Sequence, residues 1–413
     1  MRLILLVVIL CLVLGTASSV HVGGSASKAL LENLTKNTEK QIAVNTSGLW
    51  SWGSNPIGHF RDKSGKLVQG TKVKPEPSVM ETPFQMSTLA MLGIPTRSSN
   101  PVGPNATTDW NYNGLSLFRK SKYNEALQAF SKAIESNPKY ASAWINKGAT
   151  LNKLGKHNES LRAYDEAITM AQNNTIVWEG RGEVLEDLGQ YKDALQAFDK
   201  AIEIDSNNTL ALTNKGITLS KLGLYNESLK AYDKAISLKP ESAINWFYKG
   251  NALAKLGNFS ESVQAYDRTI GLNQSKNLTA NAWYSKGLVL SAMGKNDDAL
   301  NAYSRVLELD PKSATAWNNK GLSLYKQKRF NDSLQAFDKA VELNPEYVAA
   351  WINTGINLAL FGRYEDALKA YDNAIDLNPK STVAWTYKGK ALKALHRDTE
   401  AEAAFAKAKG AGI

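Results

Sequence analysis

The chain has 413 residues, longer than one compact domain usually runs, and its hydrophobic share of 43% is enough for an ordered core. A formal net charge of +10 raises the question of a nucleic-acid partner. The excess is thin, however. Residues 18–106 carry 9 Lys/Arg against 5 Asp/Glu, residues 107–413 carry 39 against 34, and no basic block stands out, which argues against a nucleic-acid surface.

The chain opens with "MRLILLVVILCLVLGTASSV". Arg2 gives a positive start, Leu3 to Leu14 is an unbroken apolar run, and Gly15-Thr16-Ala17 supplies small residues for cleavage. Residues 1–17 therefore read as a secretory signal peptide cut after Ala17, with an uncleaved signal anchor as the alternative. No later segment is long enough to span a bilayer. The single cysteine, Cys11, falls inside this stretch, so the mature chain has no disulfide and no thiol chemistry. The expected location is secreted or cell surface.

Residues 18–106 hold seven of the twelve prolines and show no period. Residues 27–44 are a helix candidate, and "HFRDKSGKLVQ" (59–69) suggests a hairpin around "DKSG". Residues 82–95 make a stronger helix, with Thr82 as N-cap, Pro83 first in the helix, Gln85 as capping-box partner, and Gly93 and Pro95 at its end. Its Phe84, Met86, Leu89 and Leu92 are suited to covering whatever follows. Trp50 and Trp52 share one face if the chain is extended there. They suit either stacking on sugar rings or the packing of a small module.

From residue 107 the chain repeats itself. Trp recurs at 110, 144, 178, 246, 283, 317, 351 and 385, on a period of 34 with one interval stretched to 37 and Leu212 standing where a further Trp would fall. Units begin at 107, 141, 175, 209, 243, 280, 314, 348 and 382. Such self-similarity means stacked supersecondary units. Within a unit, Trp at position 4, Gly at 8 and usually Leu at 11 lie on one helical face, as in Trp144, Gly148 and Leu151. Gly within a helix costs about 1 kcal/mol against Ala. Position 8 is nonetheless Gly in all nine units, which predicts a helix crossing too close for a side chain. The second helix has a small residue at position 20 and an aromatic at 24, and Pro at position 32 breaks it in five units. The extra residues lie in "NQSKNLT" (273–279), between units.

Trp-x-x-x-Gly, then a small residue, an aromatic, Ala and Pro on this period resembles the tetratricopeptide repeat across residues 107–413. The resemblance implies an all-α fold: a right-handed superhelical solenoid of nine helix-pair repeats, preceded by the small irregular segment 18–106, with the first helices lining a concave face. It also implies a protein-protein interaction scaffold and not an enzyme. The signal peptide, the acceptor triplets described below and Lys at position 7 together resemble secreted repeat proteins of archaea.

Position 7 is commonly apolar in the family, yet here it is basic in seven units: Lys147, Arg181, Lys215, Lys249, Lys286, Lys320 and Lys388. Either these form a stripe for an acidic ligand, or they pair internally with Asp at position 25. Five units carry both partners (Lys147/Asp165, Arg181/Asp199, Lys215/Asp233, Lys249/Asp267, Lys320/Asp338), which favours pairing between the two helices of one unit. The position-4 tryptophans are expected in the core. At the far end, Asp398, Glu402 and Lys409 stand where other units have residues such as Tyr191, Leu195 and Ile202. This polar face reads as a C-terminal cap and a complete array.

No catalytic constellation appears. The four histidines are isolated, "GATLNKLGK" (148–156) has the wrong spacing for a phosphate loop, and no dinucleotide fingerprint is present. No cofactor or metal is expected. Asn-x-Ser/Thr triplets are plentiful, and in a secreted chain they are glycosylation candidates. Those at Asn158, Asn226 and Asn331 place their Ser at the packing position 20, so the favoured sites are Asn173, Asn207, Asn273 and Asn277 in turns, with Asn33, Asn45 and Asn105 before the array.

By the resemblance, positions 2, 5, 9 and 12 of the first helix line the groove. That stripe offers Glu179, Glu183 and Glu186 in unit three. It then offers Phe247, Asn251, Tyr284, Leu288, Asn318, Leu322, Tyr325, Ile352 and Ile356 in units five to eight, and Lys390 and Lys393 in unit nine. The family's Lys/Asn/Arg clamp for C-terminal carboxylates is not found. The expected occupant is an extended peptide or amphipathic helix of a protein partner, unless some of the stripe is ordinary packing. Two rivals remain: an envelope- or carbohydrate-binding protein acting through 18–106 with Trp50 and Trp52, and a subunit of an envelope enzyme. Contact with a membrane is expected only through an uncleaved signal anchor.

Overall fold

The computed structural model describes residues 59–61, 67–69 and 106–410. The signal stretch, the helices expected over 27–44 and 82–95, Trp50, Trp52, Asn33, Asn45 and Asn105 lie outside the described residues. The hairpin expected over 59–69 is present: β1 (His59–Arg61) pairs antiparallel with β2 (Leu67–Gln69), with Phe60 opposite Val68.

The rest is the expected all-α solenoid. Nine first helices are α1 (Ala106–Arg119), α3 (Ala141–Lys153), α5 (Thr175–Asp187), α7 (Thr209–Lys221), α9 (Ala243–Leu256), α11 (Lys276–Ala292), α13 (Ala314–Lys326), α15 (Val348–Leu360) and α17 (Thr382–Ala394). Each is followed by its second helix: α2 (Tyr123–Ser136), α4 (His157–Ala171), α6 (Tyr191–Ile204), α8 (Tyr225–Leu238), α10 (Phe259–Leu272), α12 (Asn296–Leu309), α14 (Phe330–Leu343), α16 (Tyr364–Leu377) and α18 (Asp398–Gly410). Every helix packs mainly on its pair partner and on the next helix in the chain. First helices of neighbouring pairs also touch, whereas contacts between second helices are weaker or absent, so the first helices lie on the inside of the curve.

The invariant glycine has a specific neighbour. A methyl group on Gly321 would sit 2.6 Å from the Phe337 ring, and one on Gly148 would sit 2.9 Å from Tyr164. In each of the nine units the obstructing ring is the position-24 aromatic of the same unit. The crossing helix expected from sequence is therefore the unit's own second helix. All these rings are buried apart from Phe405 in the last unit, which is half-buried. Where position 20 is Ser, its hydroxyl donates to the carbonyl of the same glycine: Ser160 to Gly148 and Ser228 to Gly216 at 2.7 Å, Ser262 to Gly250 and Ser333 to Gly321 at 2.8 Å. That bond accounts for the serine of the Asn158, Asn226 and Asn331 triplets.

First helices end with a residue at positive φ at position 15, where the reversed backbone returns N–H groups to the last carbonyls. Six units use Gly there, and Ser121, Lys328 and His396 bear the strain in the others. Gly155 of "GATLNKLGK" is one of these caps.

Two expectations need correction. The position-4 tryptophans are half-buried, not core. Each of six donates its indole N–H to the carbonyl six residues earlier, in the turn before its helix, at 2.7–3.0 Å; Trp144 reaches Pro138 and Trp178 reaches Gln172. Trp therefore pins the joint between units, because its ring is long enough to reach back over the first turn.

The second correction concerns the ion pairs, which join neighbouring units and not the helices of one unit. Arg181 pairs with Asp165 (2.9 Å), Lys215 with Asp199, Lys249 with Asp233 and Lys388 with Asp372 (2.6 Å each), and Lys286 with Asp267 (2.5 Å). In every case the base at position 7 reaches the Asp at position 25 of the preceding second helix. Lys147 and Lys320 face Ser131 and Ser304 at that place, and Asp338 is followed by Thr354. Their ammonium groups rest instead over Trp144 and Trp317, 5.2 and 5.1 Å from the ring centres.

The stretched joint between units five and six is held by its own side chains. Gln274 accepts from the Ala243 amide (3.1 Å) and donates to the Glu241 carbonyl (2.6 Å). Thr279 donates to Asn273 (3.0 Å), and Ser275 caps α11 by accepting from the Leu278 amide.

Two outcomes follow from this packing. Gly321→Ala should destabilise the fold by on the order of 1–3 kcal/mol, because the new methyl overpacks against Phe337. Gly271→Ala, in a helix with open space around it, should instead gain up to about 1 kcal/mol. Chemical denaturation of both variants checks the contrast. A double-mutant cycle between Lys249→Met and Asp233→Asn should show a coupling below about 1 kcal/mol, as expected for a part-exposed pair. The cycle with Asp267→Asn should show none; equal couplings would refute the inter-unit register.

Candidate functional site

The inner face is built by positions 2, 5, 9 and 12 of the first helices. These positions do not behave alike. Position 5 points into the seam between neighbouring first helices, so Glu179, Phe247, Asn318 and Ile352 are buried. Glu183 and Ile356 at position 9 are buried as well. These six side chains sit inside joints instead of lining an open groove. Asn251, Tyr284, Leu288, Leu322, Tyr325, Glu186 and Lys390 remain half-buried, and Lys393 is exposed.

The seams are filled by a position that the sequence reading passed over. Position 6 reaches back to the preceding first helix. Asn146 donates to Asn111 (2.9 Å), Asn319 to the Tyr284 hydroxyl (2.9 Å), Asn353 to Asn318 (2.8 Å) and Asn214 to Glu183 (3.3 Å). Where position 6 is Tyr, the ring stacks on the position-24 tyrosine of the preceding unit: Tyr248 on Tyr232 at 6.0 Å and Tyr387 on Tyr371 at 6.1 Å. The signal was available, since "INKG", "TNKG", "NNKG" and "INTG" all place Asn two residues before the invariant glycine.

The acidic start of the face is largely satisfied from within. Glu179 accepts from the Asn208 amide, which also caps α7. Burial raises the Glu179 pKa, and its bonds from Asn208 and Thr175 pull it back only in part. Glu186 is raised by burial too, opposed by Lys221 at 3.2 Å and the Thr218 hydroxyl at 3.0 Å. The carboxylates of unit three therefore fasten α5 to α7.

Among the middle units, Leu288 and Leu322 occupy position 9 side by side and stay half-exposed. Asn251 accepts from the Tyr266 hydroxyl at 2.8 Å, and Tyr325 packs edge-on against Phe330 at 5.4 Å. Beyond them stand Lys326 and Lys390, each with its pKa lowered by burial. No group of His, Cys, Asp and Glu among the described residues could hold a metal ion, and no described helix is long and apolar enough to cross a membrane. Asn173, Asn207, Asn273 and Asn277 are all exposed.

Models of the tetratricopeptide repeat match residues 114–155, 141–174, 176–208, 213–276, 284–348 and 353–413. The chain belongs to the tetratricopeptide repeat family. As a member it is a protein-interaction scaffold, with other proteins as its partners. A further model, described as anaphase-promoting complex subunit 5, matches residues 319–382 within the same repeats. No curated protein matches the chain. Among solved structures it is similar to YrrB, described as a tetratricopeptide protein with an unusual peptide-binding site (25% identity, 46% of this chain and 96% of that one, TM-score 0.40). It is also similar to a tetratricopeptide repeat protein from Parabacteroides merdae (17% identity, 62% and 100%, TM-score 0.47) and to the type IV pilus biogenesis factor PilW (16%, 54% and 100%, TM-score 0.48).

Proposed function

We propose that this tetratricopeptide protein is a non-enzymatic scaffold that works outside the cytoplasm and holds a peptide or helical segment of a protein partner along its inner face. The observation that carries the reading is the group of half-exposed residues in units six and seven. Leu288, Leu322 and Tyr325 keep surface free on a face where Glu179, Glu183, Phe247, Asn318, Ile352 and Ile356 are closed into seams. An apolar row with polar groups at its edge suits a segment that buries side chains at regular intervals. Leu288→Gln combined with Leu322→Gln should cut partner capture at least tenfold in crosslinked co-purification from native envelopes while helical circular dichroism is kept. Undiminished capture would remove the groove from consideration.

The extracytoplasmic location rests on the first seventeen residues and on the exposure of the turn acceptors Asn173, Asn207 and Asn273, with Asn277 exposed in the first turn of α11. Native protein should have an intact mass that lacks residues 1–17 and exceeds the remaining sequence by glycan increments. A mass equal to the full unmodified chain would sink both the cleavage and the modification.

A further inference from the structure

The inner face distributes its charge unevenly. In unit three, Glu179 and Glu186 have their partners in Asn208, Thr218 and Lys221. In unit nine the situation is reversed. The Lys390 ammonium is sealed from solvent over the Tyr387 ring, 4.6 Å from its centre, and has no hydrogen-bond acceptor. One turn earlier on the same helix, the Tyr387 hydroxyl is also buried without a partner. Tyr387 is held by stacking on Tyr371 and is only 1% exposed, so its hydroxyl cannot simply turn out to water. On the adjoining helix α15, Asn357 is fully buried with both amide atoms unpaired.

Buried polar groups are normally matched, and an unmatched ammonium is the costliest kind. What Lys390 lacks is an acceptor that carries negative charge. Lys390 and Tyr387 together present an ammonium and a hydroxyl in a water-poor setting, where a charge-assisted hydrogen bond is short and strong.

We propose that Lys390 and Tyr387 form an anchoring point for a carboxylate side chain, supplied by an acidic segment of the protein partner. This rests on the inner-face reading given above and specifies its chemistry. The partner's segment carries Glu or Asp on apolar spacing: apolar side chains meet Leu288 and Leu322, and a carboxylate reaches unit nine. Binding restores the charge balance that burial has upset, so Lys390 regains an ordinary ammonium character when the segment is seated.

The test uses the full chain and calorimetric titration with acetyl-Leu-Glu-Leu-Glu-Leu-Glu-amide, its Leu-Gln counterpart and inorganic phosphate. The Glu peptide should bind at least tenfold more tightly than the Gln peptide, and added salt should weaken it. Lys390→Met and Tyr387→Phe should each reduce its affinity tenfold or more. Because the ammonium is unmatched in the free protein, Lys390→Met should melt no lower than the wild type. Equal binding of the Glu and Gln peptides, or unchanged binding by both variants, would overturn the inference while leaving the groove reading in place. A lower melting temperature for Lys390→Met would show an internal partner and overturn it too. Tight phosphate binding with the same residue dependence would assign the site to a free anion and overturn the partner's part in it. Loss of partner capture in the Leu288/Leu322 variant alone, with the Lys390 and Tyr387 variants still capturing the partner, would keep the groove and reject the anchor.

Discussion

The structure depends on one contact repeated nine times: an aromatic ring of the second helix lying directly on the backbone of the first, over a glycine. Gly114 with Phe130, Gly216 with Tyr232 and Gly355 with Tyr371 are instances of it. The ring fills the space a side chain would occupy, which brings the two helices close and fixes where they cross. Helical propensity is sacrificed at that glycine, and burial of a whole aromatic side chain more than offsets the loss, since such rings bury large apolar areas. In four units a serine on the second helix adds a hydrogen bond to the same glycine's carbonyl. Everything else in the array presupposes this rigid pair.

Joining the pairs is a separate task, carried by weaker and more varied groups. Indole N–H groups tie the turn to the following helix, and position 6 fills the space between first helices. At Gly180 that space is taken by the ring of Tyr164, which would collide with any side chain there. Elsewhere Asn or Tyr occupies it, except in unit six, which has Ser285. Tyr112, at the same position in the first unit, has no preceding pair among the described residues and is 47% exposed. The same kind of residue is thus a coupler or a surface group according to what stands before it.

The period, the nine pairs and the packing glycine were legible because each depends on spacing, and spacing survives in a linear sequence. The sense of the ion pairs was not. Lys249 is followed by Asp267 in its own unit and preceded by Asp233 in the one before, so co-occurrence alone favours the nearer explanation. The misleading cases are Lys147 and Lys320: both have an Asp in their own unit and no Asp in the preceding one, and neither forms an ion pair of this kind. The groove stripe was half legible. Period 3.6 places positions 5, 9 and 12 on one side of a helix, but the tilt between neighbouring first helices decides which of them is closed, and tilt leaves no mark in a single repeat. Glu179 and Lys390 look alike as charged groove residues, yet one is matched by Asn208 and the other has no hydrogen-bond acceptor among the described residues.

The two ways of fastening a seam largely alternate, although the seam between units three and four has both Lys215 with Asp199 and Asn214 with Glu183. Ion pairs from position 7 to the preceding second helix occur at five seams. At the other three, where Ser131, Ser304 or Thr354 removes one partner, an asparagine at position 6 instead bonds position 5 of the preceding first helix: Asn146 to Asn111, Asn319 to Tyr284 and Asn353 to Asn318. The first kind is part-exposed and is screened by salt, while the second, buried in two instances and part-buried at Asn319, joins neutral groups and is not. The second kind also draws first helix to first helix, on the inner side, and two of its three instances flank unit seven. Units six to eight are therefore closed together along the face that carries Leu288, Leu322 and Tyr325. Rigidity is placed where an apolar segment would have to be met by side chains already in register, because a face whose seams are fixed loses less conformational freedom on binding than one that must first be ordered.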